Sequence, residues 1–96
     1  KQELDPALVA GATVCADEPA QSVTIGEAQH AAAAGMLSER QVTPIGAVVN
    51  GDHPGRTSDR EITLFDGTGV GLQDLAVAAV AARRAEEAGR ARRTAF

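Results

Sequence analysis

Residues 59–79 read DREITLFDGTGVGLQDLAVAA. Within them Ile62–Phe65 is a short run of β-prone side chains, of strand length and too short for a helix. Glycines at 67, 69 and 71 then impose a turn. From about Val70 to Glu87 the chain reads as one long helix, alanine-rich and therefore strongly helix-forming. At 100° per residue Val70, Leu72, Leu75, Val77 and Val80 spread over most of that helix's circumference, and Ala76, Ala78, Ala79, Ala81 and Ala82 fill the gaps. A helix apolar on nearly every side needs cover on several sides.

The remaining sequence is poorly equipped to provide that cover. The chain has 96 residues and a mass of 9.8 kDa, which is one small domain or part of a larger one. Its hydrophobic fraction is 44%, but 20 of those residues are Ala and only 21 are Val, Ile, Leu, Met or Phe, with no Trp or Tyr. Large apolar side chains contribute about 1.5–3 kcal/mol each when fully buried, so 21 of them make a thin core for this length. The long helix is therefore expected to pack against walls encoded elsewhere, in a second protomer or in more of the same chain.

Composition excludes several classes. A single cysteine rules out an internal disulfide framework and a cysteine-based zinc module. No apolar run approaches the roughly 20 residues of a membrane span, so no membrane partner is expected. The start, KQELDPALVA, has no basic segment leading into an apolar one and is not a secretory signal. It also carries no initiator Met, and the expectation is a cytoplasmic chain that begins inside something longer. The first 82 residues hold eleven acidic and four basic side chains, whereas the last fourteen hold five arginines and two glutamates. Without stacking aromatics, the arginines read as the solvated end of a helix, suited to the negative pole of its dipole. No nucleic-acid partner is expected.

Upstream, Asp5-Pro6 starts a short helix that Gly11 ends. Ala12–Ala16 (ATVCA) suits a buried parallel strand. Asp17 is positioned to cap a helical stretch from about Glu18, which Gly26 interrupts. Glu27–Gly35 is helical again and stops at Gly35. Ser38-Glu39 opens a further helix over Gln41–Val49, with Pro44 in its first turn. Asn50-Gly51 and Pro54-Gly55 make residues 50–60 a loop. This order predicts an α/β fold, the tail of an alternating sheet followed by a segment that goes elsewhere.

Few residues carry chemistry. The 67–71 cluster follows a strand and opens a helix, but its G-x-G-x-G spacing lacks the third glycine of G-x-G-x-x-G. It is either a tight packing turn or a row of free N–H groups facing an anion or a polar ring. His30 sits three residues after Glu27, the spacing of a solvated helical pair, and His53 lies in a Pro/Gly loop facing solvent. No metal site is expected. Cys15 reads as a small core residue. Lys1 is the sole lysine, so the chain's interior offers no amine for Schiff-base or acid chemistry. Asp74, near a helix N-terminus, reads as structural.

The 59–79 stretch resembles the C-terminal signature of the ornithine cyclodeaminase/mu-crystallin family, a strand, F-D-S-T-G, and a helix opening V-A-L-Q-D-L-A. KQELDPALVAGATVCAD resembles that family's P-G-K-x-E-L-D segment, and NGDHPGR its G-x-x-P-G-R turn. The resemblance covers nearly the whole chain. It implies the C-terminal part of a Rossmann NAD(P)-binding domain (residues 1–36, its last strand–helix units). Residues 37–96 would follow as a return segment of an α+β dimerisation and substrate domain.

It implies hydride chemistry with NAD or NADP on a small-molecule amino acid or cyclic imine. Candidate reactions are ornithine to proline plus ammonia, ketimine or pyrroline-carboxylate reduction, and alanine dehydrogenation. The parent would be a homodimer. Lys1 and Gly67 are the implied cofactor contacts and Thr68 the implied substrate contact. Gly67 stands where the family usually has serine, so only its backbone N–H could contribute. Asp66 and Asp74 match the signature and read as structural. The fingerprint glycines, the substrate-binding Arg and Lys and the catalytic Asp would precede residue 1, so no catalytic residue is expected here and the isolated chain is expected to be inactive. The alternative is a non-catalytic dimerising or crystallin-like ligand-binding module.

Overall fold

The structure is a computed structural model and describes residues 2–95. Helix α1 (Pro6–Ala10) begins where the Asp5 carboxylate accepts the Ala7 N–H at 2.7 Å, with Pro6 in the first turn. Strand β1 (Thr13–Ala16) follows, then two short helices, α2 (Pro19–Ser22) and α3 (Gln29–Ala33). A 3₁₀ turn at Glu39–Gln41 leads into β2 (Thr43–Pro44), α4 (Ile45–Val49), β3 (Thr63–Asp66) and α5 (Gly71–Glu87). The strands form a parallel sheet in the order β2-β1-β3, with Cys15 opposite Thr43 and Phe65, and Ala16 opposite Pro44 and Asp66. The α/β expectation holds.

β1 is the central strand, and three of its four residues are buried. Val14 and Ala16 join Val9, Ala28, Ala31, Leu37 and Val42 in a core cluster. Alanine is useful there: with no side chain beyond Cβ it admits close packing, α3 lying against α1. Gly35 ends that element as the sequence predicts. Its φ of +70° suits glycine, and the Met36 and Gly35 amides donate back to Ala31 and Ala32.

The expected helix over Gln41–Val49 is split. Ser38 and Gln41 form a capping box that closes one 3₁₀ turn, the Ser38 N–H donating to Gln41 Oε1 at 2.9 Å. Pro44 disfavours helical backbone at Thr43, so Thr43–Pro44 extends and pairs with β1, and the helix starts only at Ile45. Pro44 has no N–H to donate, which is tolerable because β2 is an edge strand.

Gly26, between α2 and α3, is required by close approach. A Cβ there would lie 2.3 Å from Asp66 Oδ2 and 2.7 Å from Ser22 Cα. Asp66 is buried, and its Oδ2 accepts the Ser22 hydroxyl and the Glu27 N–H, both at 2.7 Å. The last residue of β3 is thereby tied to the α2–α3 connection. The expected boundary at residues 36/37 thus falls inside one sheet: β1 precedes it, and β2 and β3 follow it.

α5 stands apart. None of its residues is buried; Leu72, Leu75 and Val77 are 70%, 65% and 70% exposed. The radius of gyration is 17.6 Å, against about 12–13 Å for a compact domain of this length. A helix of 17 residues is about 25 Å long, which accounts for much of the 53 Å long axis. Among the described residues no helix is long and apolar enough to cross a membrane.

Candidate functional site

In an open parallel sheet, ligands bind outside the carboxyl ends of the strands, where successive connections depart in opposite directions. The chain leaves β1 for β2 on one side and then crosses to β3 on the other. The Ala16–Asp66 register brings the residues after the two strands together. Those residues are Asp17 and the turn Gly67-Thr68-Gly69.

Asp17 organises this end. Its Oδ1 accepts the Thr68 hydroxyl at 2.7 Å and the Thr68 and Glu18 amides, each at 2.9 Å. Its Oδ2 accepts the Thr68 amide at 3.0 Å, and the Gly69 amide and Gln73 Nε2, each at 3.1 Å. Burial raises the carboxyl's pKa, but hydrogen bonds from the Thr68 hydroxyl and the Thr68, Gly69 and Glu18 amides outweigh it. They hold the group well below the usual carboxylate range. Asp17 is thus an ionised anchor for a turn 51 residues away, and only secondarily part of its own helix start. The α2 cap is Glu18, whose side chain accepts the Ala20 N–H.

Thr68 Oγ1 also lies 2.9 Å from Gln21 Oε1. A hydroxyl has one proton. With that proton donated to the Asp17 carboxylate, the Gln21 amide must turn its NH₂ toward Thr68, an orientation set by the hydrogen-bond network. The Thr68 oxygen then keeps one lone pair for a further donor. Gly67 is exposed and its φ is not positive. Gly69 has a φ of +82° and nothing within 4 Å of where a Cβ would sit. The turn therefore has a fixed backbone with open space beside Gly69. Lys1, the other expected cofactor contact, lies outside the described residues.

The other candidates are elsewhere. Glu27 is buried, not part of a solvated pair: its Oε1 accepts the Glu3 and Leu4 amides at 2.6 and 2.7 Å. His53 is half-buried, and its Nδ1 accepts the Gly55 N–H at 3.0 Å. Cys15 is a core residue as expected. Burial, and then the charge of Glu61, pushes its thiol pKa up, the opposite of an activated nucleophile. Asp74 is exposed in the first turn of α5. Sequence reasoning missed Asp17, Gln21 and Gln73. The one signal was an acidic residue directly after a buried strand.

The family model for the ornithine cyclodeaminase/mu-crystallin family matches residues 1–89. The iminosuccinate reductase of Paracoccus denitrificans is 64% identical over 89 residues, which is 93% of this chain and 28% of the reductase. An alanine dehydrogenase of Archaeoglobus fulgidus is 42% identical over 81 residues, 83% of this chain and 25% of that protein. The crystal structure of the Paracoccus reductase in complex with NAD+ superposes over the whole chain and 30% of its own, with a TM-score of 0.90 and 60% identity. An archaeal alanine dehydrogenase dimer with bound NAD gives 0.85 and 37%, again over all of this chain and 30% of that one. The chain thus spans less than a third of the length of these relatives.

Proposed function

Because the chain belongs to the ornithine cyclodeaminase/mu-crystallin family, we propose that it is the C-terminal piece of an NAD(P)-dependent oxidoreductase that reduces a small carboxylated imine to an amino acid. Iminosuccinate is the first substrate to test. The observation that carries this reading is the 64% identity to iminosuccinate reductase, in a match that runs through 89 residues.

The described residues suit the nicotinamide end of a dinucleotide. The exposed Gly67 and the open space at Gly69 admit a planar ring against main chain whose conformation Asp17 fixes. They do not suit its pyrophosphate, which needs a glycine-rich turn feeding a helix at the proper spacing. When bound, the reduced cofactor supplies the hydride to the imine carbon. Gly67 offers close approach, and Thr68 offers one lone pair to an N–H. Lys1 is a cofactor contact by family resemblance. The imine nitrogen must gain a proton, and a general acid needs a titratable group within hydrogen-bond reach. The Asp17 carboxylate is committed to the turn, so that acid comes from another part of the protein.

The sheet of β1–β3 belongs to the nucleotide-binding domain in this reading, and the division expected at 36/37 moves to the turn before α5. α5 is then the element that enters the dimerisation domain, its apolar surface covered in a cytoplasmic homodimer. The isolated chain is inactive.

The test is NADH and NADPH oxidation by the full-length protein with oxaloacetate plus ammonia, which generate iminosuccinate, against pyruvate plus ammonia. Turnover is expected with the four-carbon acid, and none with residues 1–96 alone. Equal or better turnover of pyruvate would reassign the enzyme to alanine. No oxidation of either cofactor with either acid would refute the reductase.

A further inference from the structure

We propose that Asp17 is a positioning residue that acts through Thr68, holding the Thr68 oxygen as a hydrogen-bond acceptor for an N–H group of the bound ligand. This rests on the reductase reading for its ligand and on the hydrogen-bond geometry for its mechanism.

The argument is one of proton counting. Asp17 approaches Thr68 Oγ1 at 2.7 Å and simultaneously receives the Thr68 and Gly69 amides. An ionised carboxylate only accepts, so the hydroxyl proton must point at it. Gln21, on the other side at 2.9 Å, must then donate. Proton and one lone pair are both committed, and the lone pair that remains can meet only a donor. A carbonyl or carboxylate oxygen brought to the same place would face oxygen lone pairs and be rejected. A carboxamide N–H of the nicotinamide and the nitrogen of the substrate share the required chemistry.

The same carboxylate reaches Gln73 in the first turn of α5 at 3.1 Å. One carboxylate therefore touches both Thr68 and the first turn of the last helix. Asparagine at position 17 would be nearly isosteric but would turn an NH₂ toward one set of donors, the hydroxyl and its amide or the Gly69 and Gln73 N–H groups. The first orientation removes the acceptor of the Thr68 proton; the second keeps it but sets an NH₂ against the Gly69 and Gln73 N–H groups that help fix the turn.

The experiment uses the full-length protein with Asp17→Asn, Thr68→Val, the double variant and Asp17→Glu. NADH affinity, kcat, KM and amide exchange of residues 67–69 are measured on each. We expect each single variant to lose tenfold or more in kcat/KM, and the double variant to lose no more than twofold beyond the worse single. Asp17→Glu should recover part of the loss. A loss in NADH affinity identifies the donor as the carboxamide; a loss in kcat or substrate KM with NADH affinity intact identifies the substrate nitrogen. Asp17→Asn within twofold of the parent, or a double variant whose losses multiply, overturns the proposal.

If the parent shows no nicotinamide-linked turnover, the reductase reading fails by itself. Amide exchange then decides the role of Asp17: Thr68 and Gly69 should exchange at least tenfold faster in Asp17→Asn, and unchanged exchange overturns it. Should Asp17→Asn not fold, Thr68→Ser and Thr68→Val test the hydroxyl directly. Ser retaining at least half of kcat/KM while Val loses tenfold supports the proposal; Val within twofold overturns it.

Discussion

The layer built on β1 and the helix α5 use alanine in opposite ways. Ala16, Ala28 and Ala31 are fully buried, where a small side chain allows neighbouring elements to approach. Ala76, Ala78, Ala79, Ala81 and Ala82 in α5 are all exposed, and so are the leucines and valines between them. Helix propensity is alike in the two places, and what differs is whether a neighbour is present. Short α3, five residues long, is far below the roughly 12–15 residues that an isolated helix needs in water; packing sustains it. α5 has the length to persist on intrinsic propensity, and its apolar surface remains unspent.

The contrast breaks most severely at Asp66. Replacing it by Ala leaves the buried Ser22 hydroxyl and the Glu27 N–H without their acceptor. Hydrogen bonds to a charged group contribute about 1.5–3 kcal/mol each, so a loss of about 3–6 kcal/mol is expected. Urea unfolding of the full-length protein measures it. A loss under 1 kcal/mol would mean that the tie between β3 and the α2–α3 connection does not hold the layer together.

Leu75 sharpens the same comparison. Leu75→Ala should cost about 2–4 kcal/mol if α5 is covered in the assembled protein, as for a buried leucine. In residues 1–96 alone, where Leu75 is 65% exposed, the change should stay within about 0.5 kcal/mol. Thermal unfolding of both forms reads the difference. Equal costs in the two would show that α5 has no additional partner in the longer chain.

Local signals were legible where one segment alone decides the outcome. The ITLF and ATVCA runs are strands, the 50–60 loop is a loop, and the last helix begins within a residue of its expected start. Gly35 stops α3 because a positive φ is a local need. Readings that depended on distant neighbours went differently. Asp17 looked like a helix cap because its partners, Thr68, Gly69 and Gln73, lie 51 to 56 residues away. Glu27 looked solvated because the amides of Glu3 and Leu4 that bury its carboxylate belong to the N-terminal segment. The helix over Gln41–Val49 was split by sheet pairing, which rewarded extension at Thr43–Pro44 over one more helical turn. At the site, the turn itself was visible as three spaced glycines, whereas the group that fixes it was not.

Two glycines give the smallest effect and the finest distinction. Gly26 is enclosed: a methyl group there would collide with Asp66 and with Ser22 backbone. Gly67 only looks equally constrained in sequence. It is exposed, its φ is not positive, and a Cβ would meet Phe65 Cε1 at an ordinary 3.5 Å. Gly67→Ser should therefore fold normally, within about 0.5 kcal/mol of the parent. It would place a hydroxyl where the family usually carries one, beside a turn already held by Asp17. A change in NADH affinity with the unfolding midpoint unmoved is the expected result. A destabilisation above 1.5 kcal/mol would mean that this turn, like Gly26, is closed by packing and leaves no room for a ligand against its backbone.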